Sequence, residues 1–165
     1  MNKVLRCLLI AAASAALTAC VGIPENLEPG QTRAAVLERL GTPTGEYPLA
    51  DGTRLQYSRQ PAGQQVYNVD LDAQGRLRRV EQVLDIHWMN RNIAIDRWTR
   101  DDVLRGMGQP ARIEKVARFD GDIWTYRFLE MDIPRQAHIH IDPQGTVRRL
   151  VFTDEPRGFE PPFPF

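Results

Sequence analysis

Two cysteines, Cys7 and Cys20, are all the thiol chemistry this chain of 165 residues has. Excess charge is missing too: 21 basic residues stand against 21 acidic ones. That balance excludes the usual nucleic-acid binder, which carries a basic surplus. Long helices are disfavoured, because twelve prolines and twelve glycines punctuate the chain with turns. The common catalytic signatures are lacking. There is no phosphate-binding glycine loop, no Gly-x-Ser-x-Gly elbow and no metalloprotease helix motif. Past Lys3 the chain has a single lysine, Lys115. No site for a cofactor is expected, and no catalytic residue.

One apolar run is present. It covers Cys7 to Leu17, follows the basic residues Lys3 and Arg6, and ends in small residues, the layout of a secretory signal. It falls short of the ~20 apolar residues that a membrane span needs. The four residues from its end onward, Leu17-Thr18-Ala19-Cys20, resemble the lipobox of bacterial lipoproteins. That resemblance implies cleavage before Cys20 and diacylglycerol on its thiol. Two acyl chains on one residue anchor stably, since each buried methylene contributes ~0.8 kcal/mol. Position 21 is Val, not the Asp that resembles an inner-membrane retention signal. The expected localisation is therefore the outer membrane, on the periplasmic side. Processing removes Cys7 and blocks Cys20, leaving neither disulfide nor thiol nucleophile. Loss of Lys3 and Arg6 also leaves the mature chain net acidic.

Beyond the signal the chain repeats itself. Thr32-Arg33-Ala34-Ala35-Val36-Leu37-Glu38-Arg39-Leu40-Gly41-Thr42-Pro43 matches the stretch Thr99 to Pro110. Asp51-Gly52 matches Asp120-Gly121, Tyr57 matches Tyr126, Asp72 to Gly75 matches Asp142 to Gly145, and Arg78-Arg79 matches Arg148-Arg149. The spacing begins at about 67 residues and grows to about 70 in order along the chain, as a duplication with small insertions does. Thr32 and Thr99 are helix N-caps, with Asp102 at a helix start where a carboxylate is favoured. Val36, Leu37 and Leu40, like Val103, Leu104 and Met107, make one apolar face. Gly41 and Gly108 are expected to stop each helix in a left-handed conformation, and Pro43 and Pro110 prevent its resumption. Asp51-Gly52 and Asp120-Gly121 read as two-residue hairpin turns. Leu55 and Tyr57, Tyr67 and Val69, Trp124 and Tyr126, Ile139 and Ile141 alternate with polar residues, which predicts antiparallel strands with one buried and one wet face.

The predicted fold is α+β: two tandem repeats, each a short helix on a three- or four-stranded antiparallel meander. The division is a signal peptide over 1–19, a lipid-anchored tether over 20–29, a first repeat over 30–86, a connector over 87–98, a second repeat over 99–154 and a tail over 155–165. Each repeat alone is of a size that buries only ~60% of its unfolded surface, so the two are expected to pack together. The connector, with Trp88, Ile93, Ile95 and Trp98, is too apolar for a free linker and should pack between them. The tail, Glu155 to Phe165, holds four prolines and three phenylalanines. It can form neither helix nor central strand, and is either disordered or laid on an apolar groove.

Helix, Leu40-Gly41-Thr42-Pro43, Asp-Gly, Tyr57 and Asp-x-x-Gly, repeated with Met107-Gly108-Gln109-Pro110 and Tyr126, resemble the SmpA/OmlA (BamE-like) outer-membrane lipoprotein family. The tandem arrangement resembles the β-lactamase inhibitory proteins. The resemblance implies a BLIP-like fold and a protein–protein interaction module serving outer-membrane assembly or envelope maintenance. Its partners would be the membrane, through lipid on Cys20, and an envelope protein whose contact residues the sequence does not identify. A second expectation is inhibition of a periplasmic or secreted enzyme. A remote third is a metal-dependent enzyme using His138, His140 and Asp142, which fall at alternate positions of one strand. The wet face of that strand explains them as well, and no protein ligand beyond this strand is apparent. Arg78, Arg79, Arg148 and Arg149 could meet lipid headgroups; as strand ends they are expected to pair with nearby acids.

Overall fold

The computed structural model describes residues 24–158. The chain is α+β, with two four-stranded antiparallel sheets and few helices. A 3-10 turn, Pro24–Asn26, is followed by α1 (Arg33–Leu40) and strands β1 (Gly45–Leu49), β2 (Gly52–Ser58), β3 (Val66–Asp72) and β4 (Leu77–Gln82). Then come α2 (Ile86–Asn92), α3 (Arg100–Met107) and strands β5 (Arg112–Val116), β6 (Phe119–Glu130), β7 (Ile133–Ile141) and β8 (Val147–Asp154). Both sheets are plain meanders, with strand order following chain order.

The duplicated residues form the same joints in both units. The Thr32 hydroxyl accepts from the Ala35 amide, and that of Thr99 accepts from the Asp102 amide. In return Asp102 accepts from the Thr99 amide, closing a capping box. Gly41 and Gly108 end the helices at φ +77° and +75°. Their ψ values of −159° and −165° place them outside the expected left-handed helical basin. They occupy the extended, positive-φ region that only glycine enters cheaply. The difference frees each glycine carbonyl to point at the sheet, where a tyrosine hydroxyl takes it: Tyr57 donates to Gly41 at 3.1 Å and Tyr126 to Gly108 at 2.7 Å. Leu-Gly-x-Pro and the strand tyrosine are thus two halves of one hydrogen bond. Tyr126 is fully buried, so Tyr126→Phe strands the Gly108 carbonyl. It should cost about 1–3 kcal/mol in urea unfolding, and Tyr57→Phe less, because the Tyr57 bond is reached by solvent.

The turns after β3 and β7 tie each helix start to its sheet. The Asp72 carboxylate accepts from the Gln74 and Arg76 amides, and Asp142 from the Thr146 amide. The Gly75 and Gly145 carbonyls then accept from Arg33 and Arg100, the first residues of α1 and α3. The first hairpin turns through Ala50 and Asp51, with Leu49 opposite Gly52. The second departs from expectation. Its turn is Ala117-Arg118, and Asp120-Gly121 lies inside β6, just before Asp122, which faces Ile141 where the β7–β8 pairing slips past the extra β8 residue Arg148.

The ends and the connector pack more than a tether and a linker would. Leu27, in the segment expected as tether, is buried with Val36, Leu55, Val69, Leu71 and Leu77 under α1. Tyr67 bonds the Glu25 carboxylate. The connector contains α2, capped by Asp85, which buries Trp88, Met89 and Ile93 and stacks Trp88 edge-on against Trp98. Ile95 remains exposed. The larger core joins α2 and α3 to the inner face of the second sheet through Val103, Met107, Trp124, Tyr126, Phe128 and Ile139, and takes in Val66, Val83 and Leu84 from the first unit. One apolar cluster therefore spans both repeats.

Candidate interaction surfaces

The outer face of the first sheet, expected to be wet, is instead the seat of α3. Gln56, Asn68 and Asp70 are 2%, 1% and 2% exposed. The last carbonyls of a helix have no partner within it, and here the sheet supplies donors. The Gln56 amide reaches the Leu104 and Arg105 carbonyls at 3.3 and 3.4 Å, Asn68 donates to Gly106 at 2.9 Å, and Arg54 to Arg105 at 3.2 Å. Asp70 holds Arg54 with two bonds of 2.7 and 2.8 Å and accepts a third from Arg79. Burial pushes the Asp70 carboxyl up, but its bonds to Arg54 and Arg79 outweigh this and hold it below the usual range. The cleft beside this seat, about 230 Å³, is lined by Arg54, Arg79, Glu81, Trp88, Trp98 and Arg105 among others. Its arginines are paired with Asp70, Glu81 and Asp102.

On the second sheet His138 and His140 lie on the corresponding outer face. The His138 ring nitrogens lie 2.9 Å from the Thr125 and Thr153 hydroxyls, so both are engaged. His140 meets Phe119 edge-on at 5.0 Å. Asp142 is turned into its own loop, accepting from the Thr146 amide and from Arg148. The three side chains thus serve separate local bonds, and among the described residues no group of three or more His, Cys, Asp or Glu could hold a metal ion. Burial lowers both imidazoles below the ordinary value, with His140 and Arg112 adding to the effect at His138 and Arg149 at His140. The unfolded chain therefore binds protons first as pH falls, and stability is lost on descending below the unfolded value of about 6.5. The thermal midpoint should decline between pH 7.5 and 5.5, and a His138→Gln/His140→Gln variant should flatten that decline.

The arginine stripes are largely paired. Arg78 meets Asp51, Arg79 meets Asp70, and Arg148 meets Asp96 and Asp142 at 2.8 and 2.6 Å.

The two units differ most in the β6–β7 hairpin. β2 and β3 have seven residues each, whereas β6 has twelve and β7 nine. Beyond the end of β5 the Gln60 side chain bonds both the amide and the carbonyl of Arg127, as a strand would. Arg127 also reaches Pro61, Ala62 and Glu155. Past this clamp the hairpin carries exposed Leu129, Met131 and Ile133, with Met131 at 87%. Met131 and Asp132 form the two-residue turn at φ +48° and +65°. Such a turn favours Asn or Gly, so Met at that conformation is strained. The tip is not among the sites expected from the sequence. Its signal is there nonetheless: the second repeat has longer strands and an apolar residue at the turn.

Cys20, the signal and the last seven residues of the tail lie outside the described residues. Among the described residues no helix is long and apolar enough to cross a membrane.

No family model and no curated protein matches the chain. Among solved structures it is similar to a DUF4309 family protein (YjgB) from Bacillus subtilis, at 13% identity over 76% of this chain and 79% of that one, with a TM-score of 0.32. A likeness at that level carries no argument about this chain's fold or activity.

Proposed function

We propose that the protein is an outer-membrane lipoprotein, anchored through Cys20, whose BLIP-like tandem units present a contact surface to another envelope protein. The observation that carries this reading is the strained, apolar β6–β7 tip. An exposed large side chain at a positive-φ turn is costly, and such strain concentrates at functional positions. Asp132 within the turn disfavours burial of the tip in hydrocarbon, which supports a protein over a lipid core as its partner. The reading requires no catalytic step and no cofactor. The lipobox and the SmpA/OmlA resemblance support the address.

A photo-crosslinking residue at Met131, in the lipidated protein in cells, tests the proposal. A discrete adduct with one envelope protein is expected, and the absence of any adduct counts against the contact. Mass spectrometry of the N-terminal peptide of the protein from cells tests the anchor: a chain beginning at a diacylglyceryl-modified Cys20 is expected. An unmodified Cys20 would refute lipid anchoring there.

A further inference from the structure

We propose that β5 is a self-association edge, which pairs antiparallel with β5 of a second copy of the chain about a two-fold axis at Ile113. The inference is independent of the lipid anchor and of the hairpin contact. It starts from a difference between the repeats. β1 and β5 hold the same place, each the outermost strand of its sheet among the described residues. Such an edge offers amides and carbonyls to any passing strand. Natural sheets blunt it with proline or with a charge turned inward. β1 carries both devices. Pro48 has no amide to offer, and Glu46 holds Arg33 of α1 with two bonds of 3.0 and 2.9 Å. β5 carries neither. Lys115 stands in the place of Pro48, and Ile113 in the place of Glu46. Arg100, the counterpart of Arg33, has its ion pair one strand further in, with Asp122 of β6. Ile113 is left 53% exposed and Val116 45%.

The charges on β5 select the occupant. Residues opposite one another in a sheet share a face. A two-fold axis between two equal strands therefore passes through a residue, not between two. An axis at Arg112, Glu114 or Lys115 sets that residue against its own copy, and like charges directly opposite are destabilising. An axis at Val116 sets Glu114 and Lys115 against the turn residues Ala117 and Arg118 instead of a strand. An axis at Ile113 alone within β5 avoids both faults. It sets Ile113 against Ile113 and Arg112 against Glu114 twice over. Arg112 and Glu114 already attract within one chain, at 2.9 Å, so two such couples would merge into one group of four alternating charges. Lys115 falls opposite Ala111 and meets no like charge. Ile113 is paired with Trp124 of β6 and shares its face. The two Ile113 side chains thus carry the apolar face of one sheet into the next, and the product is a continuous eight-stranded sheet.

The test is disulfide trapping in cells that make the full chain in two differently tagged forms. On mild oxidation Ile113→Cys should give a covalent dimer containing both tags. The unsubstituted chain and Lys115→Cys should not, because the two copies of position 115 lie four residues out of step, roughly 13 Å along the strands. In the Ile113→Cys background, Arg112→Glu or Glu114→Arg alone should lower the trapped dimer about tenfold, since each sets like charges opposite twice. The exchange Arg112→Glu/Glu114→Arg should restore it, which also shows that the single variants fold. Absence of the dimer from Ile113→Cys would overturn the proposal, as would equal trapping at Lys115→Cys. A charge exchange that fails to restore trapping would overturn it too, and so would an adduct with another protein in place of the dimer.

Discussion

Asp70→Ala should be among the most damaging single substitutions in the chain, lowering stability by about 3–5 kcal/mol in denaturant titration. Asp70 is buried and binds Arg54 through both oxygens and Arg79 through one. Its removal leaves the Arg54 guanidinium, whose side chain is only 12% exposed, without its counter-charge. A buried pair adds little over an apolar pair, but a buried charge left alone is expensive. The damage should spread across the repeat boundary, because Arg54 also donates to the Arg105 carbonyl at the end of α3. Asp70→Asn should be milder, since one acceptor survives. An Arg54→Met/Asp70→Leu double variant should recover part of the loss but not all, because the Arg105 carbonyl would still lack its donor. If Asp70→Ala and the double variant are equally unstable, the ion pair is not what holds α3. The same carboxyl also sets an acid limit. Its folded value lies below the ordinary one, so its stabilisation is present above about pH 4 and is lost as pH falls through the folded value. That window lies well below the histidine window of the second sheet.

The joints within a repeat are legible in the sequence, and the contact between repeats is not. Thr32 and Thr99, Gly41 and Gly108, and Asp72 and Asp142 act locally, through bonds a few residues away, so residue type and spacing carry their role. The outer face of β2 and β3 is different. Arg54, Gln56, Asn68 and Asp70 alternate with Leu55 and Val69 just as residues facing water do. A helix end needs donors as water does, and alternation cannot tell the two apart. The clue is in the residue types: an Arg, a Gln, an Asn and an Asp on neighbouring strands make a matched donor–acceptor set, which water does not require. Gly106 is a second clue. A glycine inside α3 weakens the helix, and the structure supplies the compensation, since a Cβ there would come within 2.9 Å of the Trp98 ring. The hairpin tip shows in the sequence only through the longer strands of the second repeat, because Met131 takes a positive-φ turn position that its residue type does not announce.

Gly52→Ala and Gly121→Ala should both be close to unfolding, each costing more than about 3 kcal/mol, for a reason distinct from turn chemistry. Asp-Gly marks both as hairpin glycines in the sequence. Gly52 does begin β2 just after its turn, whereas Gly121 lies inside β6. The two share the kind of strand that lies beside them. A Cβ on Gly52 would stand 1.9 Å from the Leu71 carbonyl oxygen, and one on Gly121 would stand 2.2 Å from that of Ile141. Each carbonyl belongs to the residue where the next pairing slips, between Asp70 and Leu71 in one sheet and His140 and Ile141 in the other. The bulge drives a backbone oxygen toward the neighbouring strand, and only a residue without a side chain can lie opposite. The obstruction is backbone, so no rotamer change relieves it. Relief would require closing the bulge, which would move Asp72 or Asp142 off the turn that anchors α1 or α3. The substitutions should therefore lower the unfolding midpoint and also loosen the helix start, visible as faster hydrogen exchange at the Arg33 or Arg100 amide. Gly30→Ala is the matched control: its φ is +88° but no atom lies within 4 Å of the added carbon, so it should cost about 1 kcal/mol. Equal losses at Gly30 and Gly52 would mean that backbone conformation, rather than the carbonyl opposite, makes glycine necessary at the duplicated site.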